Sequence, residues 1–298
     1  MNKQTNIIIV LLLLSGTCFA QLTDLARIEY TYFPQEQSDN SFRRFRTFIN
    51  VPIKLKEDTY LVPGFEYRNV NLKFEDVVPF SREDLDRFQS FGLSLGYTQK
   101  ISEEWRIGAK LGTTVTSNFS TESATGNDYV HTGALYFIND KTNEGLDKPW
   151  RLIVGGRYDT ESGRPFPLPF INYYKEFHPD WSYTLGVPKS NIKRYFGKDR
   201  RHILQSFVTL DGFYANIQDN VDVAIPAGEF ETAESISMTV ALFGVGYEYC
   251  FTKHLVFYIY AGHTIINDIR LRDGDRDDVF TINDRNTFYG RSGIKFKI

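Results

Sequence analysis

Long segments of this 298-residue chain alternate between apolar and polar residues, and few folds are compatible with that pattern. Ser90 to Lys100 reads SFGLSLGYTQK, and Trp105 to Thr116 repeats the alternation after a short polar turn. Successive side chains of a β-strand point to opposite faces, so both segments are predicted strands with one apolar and one polar face. We therefore expect a sheet whose two faces meet different surroundings.

The pattern extends over the chain after residue 20, and several of the predicted strands are long. Strands of soluble sheets average about five or six residues, whereas a tilted strand needs about 9–11 residues to cross a membrane. No stretch after residue 20 is apolar enough for a spanning helix, and the mean hydropathy is −0.33. The predicted strands are 25–33, 43–55, 59–73, 90–100, 105–116, 128–139, 149–159, 167–177, 181–188, 203–217, 234–250, 254–271 and 288–298.

Connections between the predicted strands alternate between short turns and longer polar loops, as in a bacterial outer-membrane barrel with periplasmic turns and outer loops. Trp105, Trp150 and Trp181 all follow polar turns on the same predicted side of the barrel. Tryptophan prefers the membrane–water boundary because its ring is apolar and its N–H seeks water. These three are therefore predicted interface aromatics on the turn side.

The thirteen predicted strands conflict with the even number usual in single-chain bacterial barrels. Counts from the two ends of the chain collide at residues 188–202, where Pro188 lacks an N–H for a ladder. Trp181–Pro188 is the shortest segment. We therefore expect an all-β, antiparallel transmembrane barrel of twelve strands, with fourteen as the alternative if Ser190–Phe196 is a further strand.

The first twenty residues have the pattern of an export signal. Lys3 precedes an apolar run from Ile7 to Leu14, and small residues stand before Gln21. This predicts a cleaved signal peptide over 1–20, a single barrel domain over 21–298 and a bacterial outer-membrane location. An alternative is a lipoprotein acylated at Cys18, although Thr17 fits that signal poorly.

The C-terminal segment Arg291-Ser-Gly293-Ile-Lys-Phe296-Lys-Ile298 resembles the terminal strand signal read by the outer-membrane barrel assembly machinery. Its polar, glycine and two apolar positions are Arg291, Gly293, Phe296 and Ile298, with Ile298 where such families commonly end in Phe. The resemblance implies the assembly machinery as a partner during insertion.

The whole chain after residue 20 is similar to outer-membrane β-barrel proteins of unknown function from Bacteroidota. The similarity is carried by Leu168-Pro-Phe-Ile-Asn-Tyr173 and by Trp181–Pro188. It implies a location and a fold, and it brings no catalytic residues.

The sequence carries no strong motif for catalysis or for metal binding. None of the five histidines is followed by Ser at the next two positions, and no Gly-x-Ser-x-Gly occurs. We expect no enzyme, no catalytic residue and no cofactor. Asp273, Asp275 and Asp277 alternate like the start of a calcium loop, but Asp278 stands where that loop needs glycine. We treat this segment as a weak metal candidate and expect no bound metal.

The predicted polar strand faces carry more cations than acids. Either these cations select anions in a pore, or they pair with acids such as Glu29 and Glu66 and fill a narrow interior; we favour the second reading. The predicted lumen cations are Arg44, Arg46, Arg68, Arg106, Lys110, Arg291 and Lys295, with Lys54 and Lys297 in the same pattern.

Three functions are compatible with these features. The first is a non-enzymatic barrel, either a small anion-preferring channel or a plugged scaffold. The second is a binding or assembly partner that uses loops 75–88 and 272–286, and the third is a membrane-embedded hydrolase. We expect contacts with outer-membrane lipid and lipopolysaccharide, a monomer, and no nucleic acid, because the net charge of −3 offers no basic excess.

Overall fold

The computed structural model describes residues 24–35, 40–121, 123–142, 145–160, 168–226 and 228–297. The predicted signal peptide and Ile298 lie outside these residues. Within these residues, the short 3-10 turn Gly126–Asp128 is the one regular element that is not a strand. The strands are β1 Asp24–Pro34, β2 Ser41–Asn50, β3 Ile53–Lys56, β4 Thr59–Lys73, β5 Arg87–Lys100, β6 Trp105–Ser117, β7 Tyr129–Asp140, β8 Trp150–Asp159, β9 Leu168–His178, β10 Trp181–Gly186, β11 Lys189–Phe196, β12 His202–Ala224, β13 Phe230–Cys250, β14 Leu255–Arg272, β15 Asp278–Asn283 and β16 Phe288–Lys297.

The strands form a closed antiparallel barrel. Neighbours in the sequence pair along the wall, and the first strand closes the ring by pairing with the last, with Glu29 opposite Gly293. β3 continues the line of β2, and β15 lies in the loop between β14 and β16. The wall therefore contains fourteen strands. We call the end with turns 57–58, 101–104, 179–180, 197–201 and 251–254 the turn end, and the opposite end the loop end.

The expected number of twelve strands is wrong, and the alternative of fourteen is correct. β10 and β11 form a hairpin in which Tyr183 lies opposite Ile192. β11 then pairs with β12 over its whole length, so both short strands belong to the wall. Pro188 does not interrupt a ladder, because it lies in the tight connection between these two strands.

The outer surface of the wall is apolar. On β5, Phe91, Leu93 and Leu95 point away from the barrel and are 43%, 67% and 50% exposed. Their neighbours Gly92 and Ser94 point inward, which produces the alternation seen in the sequence. Within the described residues, no helix is long and apolar enough to span a membrane.

The apolar side chains change face along β12. Near the turn end, Leu204 and Val208 point outward and are about half exposed. Beyond Asp211, the residues Phe213, Ala215 and Ile217 are buried inside the barrel. The same change occurs on β13, where Phe243 points outward and Ile236 inward. The loop-end halves of these strands therefore have the pattern of a water-soluble sheet packed on a core.

That core fills the loop end of the barrel. Phe33, Phe42 and Phe88 are almost fully buried, and the Phe42 and Phe88 rings both pack against Phe213 with centroids 6.4 and 5.9 Å away. Phe80, from the loop between β4 and β5, joins the same cluster. The loop end of the interior is consequently packed with side chains on the side of β1 to β5 and β12 to β16.

Candidate functional site

A network of ion pairs crosses the interior beneath the apolar core. Asp211 of β12 accepts two hydrogen bonds from the Arg44 guanidinium of β2, at 3.0 and 2.6 Å. Asp211 also accepts one from Arg291 of β16 at 2.6 Å. Glu29 lies 3.8 Å from Arg44 and 3.7 Å from Arg291. We call these four residues the central ion cluster.

The central ion cluster joins parts of the wall that are not neighbours. β2 and β12 are separated by β1, β16, β14 and β13 along the ring, so the Arg44–Asp211 pair spans the lumen. Arg44 and Glu29 are each 1% exposed. Removing one member of a buried pair leaves an uncompensated charge, which costs about 3–5 kcal/mol. The network therefore closes this part of the interior and fixes opposite walls.

A second cluster surrounds Glu248 near the turn end of β13. One oxygen of its carboxylate accepts hydrogen bonds from Tyr260 Oη at 2.6 Å, Gln205 Nε2 at 2.8 Å and Lys295 Nζ at 3.1 Å. Lys193 Nζ lies 3.3 Å from the same oxygen. Each hydrogen bond to an ionised group stabilises the fold more than a neutral one. This cluster holds β11, β12, β14 and β16 together.

The interior on the side of β4 to β8 is different, because it is basic and more exposed. Glu66 binds both Arg46, at 3.0 and 3.2 Å, and Arg68. Lys110 is exposed inside the barrel, opposite Ala134. Arg157 is 60% exposed and lies 3.7 Å from Asp159. We call this space, lined by the four cations, the basic chamber.

A buried carboxylate closes the loop end between β6 and β12. Asp128 accepts hydrogen bonds from Asn216 Nδ2 at 2.8 Å, Gln218 Nε2 at 2.7 Å and the backbone N–H of Thr125 at 2.6 Å. Ser117 pairs with Asn216 in the one parallel contact between these strands. Burial opposes the charge of Asp128, but these hydrogen bonds outweigh burial and hold the pKa of its carboxyl below the usual value.

The predicted lumen cations fall into three groups. Arg44 and Arg291 belong to the central ion cluster, and Lys295 belongs to the Glu248 cluster. Arg46, Arg68 and Lys110 line the basic chamber, as the preceding contacts show. Arg106 lies at the turn end, where it donates to the backbone oxygen of Asp58 at 2.8 Å. Lys54 is exposed on β3, and Lys297 lies in the last strand.

The other predicted site residues take the following places. Trp105, Trp150 and Trp181 are the first residues of β6, β8 and β10, all at the turn end. Gly293 and Phe296 lie in β16, which closes the ring, whereas Ile298 lies outside the described residues.

The weak metal candidate, Asp273, Asp275 and Asp277, is a tight turn in which Asp273 accepts the Asp277 backbone N–H at 2.8 Å. Among the described residues, no group of three or more His, Cys, Asp or Glu is arranged to hold a metal ion.

Four charged residues of the interior are not among the predicted lumen residues: Asp211, Glu248, Lys193 and Arg157. Asp211 had a detectable signal, since the apolar positions of its strand change from even numbers, as at Leu210, to odd numbers, as at Phe213. A polar residue at such a change of phase marks the boundary between a lipid-facing wall and an internal core. The partners of Glu248 come from distant strands, and alternation within one strand does not identify them.

A closed antiparallel barrel with an apolar outer surface and a charged interior defines an outer-membrane type β-barrel protein. The chain belongs to the family described as Domain of unknown function (DUF6268), whose model matches residues 17–297. No curated protein matches the chain.

The chain is distantly similar to several solved barrels. With the KdgM porin in complex with disordered oligogalacturonate it shares 9% identity at a TM-score of 0.38, over 91% of this chain and 99% of that one. With OprB of Pseudomonas putida at low pH the values are 8% and 0.40, over 100% and 98%. With LpxR from Salmonella typhimurium they are 8% and 0.38, over 92% and 100%. Likeness at this level says nothing about what this chain does.

Proposed function

We propose that this protein is an integral outer-membrane barrel with a plugged lumen and no enzymatic activity. The observation that carries the proposal is the stack of two closures inside the wall. The central ion cluster bridges the lumen between Arg44 and Asp211, and the core around Phe42 and Phe213 packs the loop end above it. A solute cannot pass either of these two layers without displacing side chains.

The outer wall supports the membrane part of the proposal. Leu93 and Leu111 are 67% and 70% exposed, on neighbouring strands of a closed wall. Exposed apolar patches of this extent are rare on soluble monomers, whereas hydrocarbon accommodates them. The closed ring also satisfies the backbone hydrogen bonds, as the membrane interior requires.

The orientation follows the usual arrangement of such barrels. Short turns face the periplasm and longer loops face the cell exterior, so the turn end faces the periplasm and the packed loop end faces the cell exterior.

We further propose export through a signal peptide over 1–20, a single domain over 21–298, insertion by the barrel assembly machinery, a monomer in contact with lipopolysaccharide, and an origin in Bacteroidota. Sequencing the N-terminus of the purified protein should find Gln21.

Liposome swelling tests the plugged lumen. The full-length protein is reconstituted in liposomes, and the influx of neutral sugars is followed by light scattering. We expect swelling no faster than in protein-free liposomes, with an open general porin as the positive control. Rapid swelling with monosaccharides would contradict the proposal. Recovery of the protein in the outer-membrane fraction of the cell tests the location separately.

A further inference from the structure

Among the described residues, the basic chamber has more cations than carboxylates. Two carboxylates, Glu66 and Asp159, face four cations, Arg46, Arg68, Lys110 and Arg157. Lys110 lies close enough to Glu66, Arg46 and Arg157 to interact with their charges. Within the described part of the chain, no carboxylate pairs with Lys110. Unpaired cations that face one another are unfavourable unless water or an anion separates them.

The ladder positions beside Lys110 on the inner face carry small residues. Lys110 lies between Gly96 of β5 and Ala134 of β7 in the ladder, and Ala134 lies opposite Arg157 of β8. Gly112 follows on the same face as Lys110. Neighbouring side chains occupy part of this space, because a Cβ at Gly112 would lie 2.9 Å from Thr132 Oγ1 and one at Gly96 would lie 3.3 Å from Val62 Cβ. Lys110 is nevertheless exposed inside the barrel, so a ligand in the lumen can reach its ammonium group.

The chamber lies outside the packed closure of the loop end. β12 pairs with β11 as far as Thr209, which lies opposite Lys189, and then crosses to β6, where Asn216 meets Ser117. The strands β7 to β11 therefore take no part in the closure of the core. The exposure of Arg157 and Lys110 is consistent with water on this side of the interior.

We propose that the basic chamber binds a small polyanion, a molecule that carries two or more negative charges on carboxylate or phosphate groups. The planar guanidinium group of an arginine can donate two parallel hydrogen bonds to the oxygens of a carboxylate or of a phosphate. Lys110 adds a point charge in the same chamber. Two negative charges on the ligand would match the excess of two cations among the described residues of the chamber. This proposal rests on the barrel of the proposed function, but it does not depend on where the protein is located or on whether the barrel conducts ions.

Calorimetric titration of the full-length protein in detergent tests the site. The probes are citrate, which carries carboxylates, and pyrophosphate, which carries phosphates, with glucose as the neutral control. The test variant is Lys110→Gln/Arg157→Gln, and Lys110→Gln alone serves if the double variant does not fold. The matched control is Arg43→Gln, because Arg43 lies on the outer face of β2 over the Tyr32 ring.

We expect saturable binding of at least one probe to the wild-type protein and to Arg43→Gln, and none of glucose. The double variant should lose at least tenfold in affinity and the single variant at least threefold, and binding should weaken as salt rises. No binding of either probe, or equal affinity in the chamber variants, would overturn the proposal. Because the protein is in detergent, these outcomes are independent of whether the barrel conducts or where it resides.

Discussion

Asp211 is the residue on which most of the interior depends. Its carboxylate is the shared acceptor for Arg44 and Arg291, and Arg44 is almost completely buried. Water cannot replace a lost acceptor around so buried a guanidinium group. The stability of the barrel should therefore respond more strongly to Asp211 than to any exposed acid.

Asp211→Asn should lower the free energy of unfolding by about 3 kcal/mol, because it removes one charge from a buried pair and leaves a single amide oxygen to accept hydrogen bonds from two guanidinium groups. Urea titration in lipid vesicles measures this loss. Asp222→Asn is the control, since Asp222 is exposed and accepts a single hydrogen bond from Thr232, and its cost should stay below about 0.5 kcal/mol. Equal costs for the two variants would contradict the role of the ion cluster.

Protonation of Asp128 should open the contact between β6 and β12. Its pKa lies below the usual value in the folded state, so its contribution is fully present above the ordinary Asp value of about 4. The contribution is lost as the pH falls through the lower folded value, because the protonated acid no longer accepts all three hydrogen bonds. Hydrogen exchange of the Gln218 side-chain amide, which donates to Asp128, should become faster as the pH decreases and so report the opening.

The matched variant for this prediction is Asp128→Asn. Asparagine keeps the shape of the side chain, but only one of its two terminal atoms can accept hydrogen bonds. The Gln218 side-chain amide should therefore exchange faster at neutral pH. Its exchange should also lose the acid-dependent increase after correction for the intrinsic rate. An acid-dependent increase of the same size in Asp128→Asn would show that another group controls the contact.

At the scale of elements, the hairpin of β10 and β11 has the tightest steric requirement. Gly186 adopts φ +143°, and a Cβ there would overlap the Ile171 carbonyl oxygen of β9. Glycine is the residue that tolerates both conditions. The hairpin therefore needs Gly186 in order to complete the wall between β9 and β12.

Gly186→Ala should destabilise the folded barrel by about 1–3 kcal/mol, the usual cost of forcing a residue into such a conformation, and it should reduce the yield of folded protein. The difference in mobility between heated and unheated samples on a gel measures the folded fraction. Gly290→Ala is the control, because no atom lies within 4 Å of the added Cβ. If both variants fold equally well, the hairpin does not depend on Gly186.

The elements also show how far the sequence determines the fold. The regular alternation in β5 and β6 predicts their bounds to within a few residues, because both faces keep the same surroundings throughout. At residues 188–202, two short strands carry too few alternating positions, and Pro188 obscured the hairpin. The core at the loop end was also missed, because the inward residues change from polar, as at Gln205, to apolar, as at Ile217, within a single strand.

The sequence predicted the inward cations of the candidate site but not their partners. Inward cations such as Arg46 follow from strand parity, which one strand reveals by itself. Their partners depend on which distant strands face each other across the lumen, and 167 residues separate Arg44 from Asp211. That information is present in the closed barrel but not in local periodicity.

The barrel as a whole spans a membrane only if its wall faces lipid at the depth of Leu111. An arginine near the middle of a bilayer costs about 2–4 kcal/mol on the outer face of a barrel and little beyond the membrane. Leu111→Arg should therefore lower the free energy of unfolding by about that amount in vesicles. Val77→Arg should change it by less than about 0.5 kcal/mol, because Val77 is 97% exposed in a loop-end connection. Equal effects would contradict a membrane-spanning wall.

The most direct test of the plugged barrel is the ionic current through a planar lipid bilayer that contains the purified full-length protein. The ion cluster between Arg44 and Asp211 and the core above it predict no stepwise opening of porin size for the wild-type protein. Large, regular steps from the wild-type protein would contradict the account.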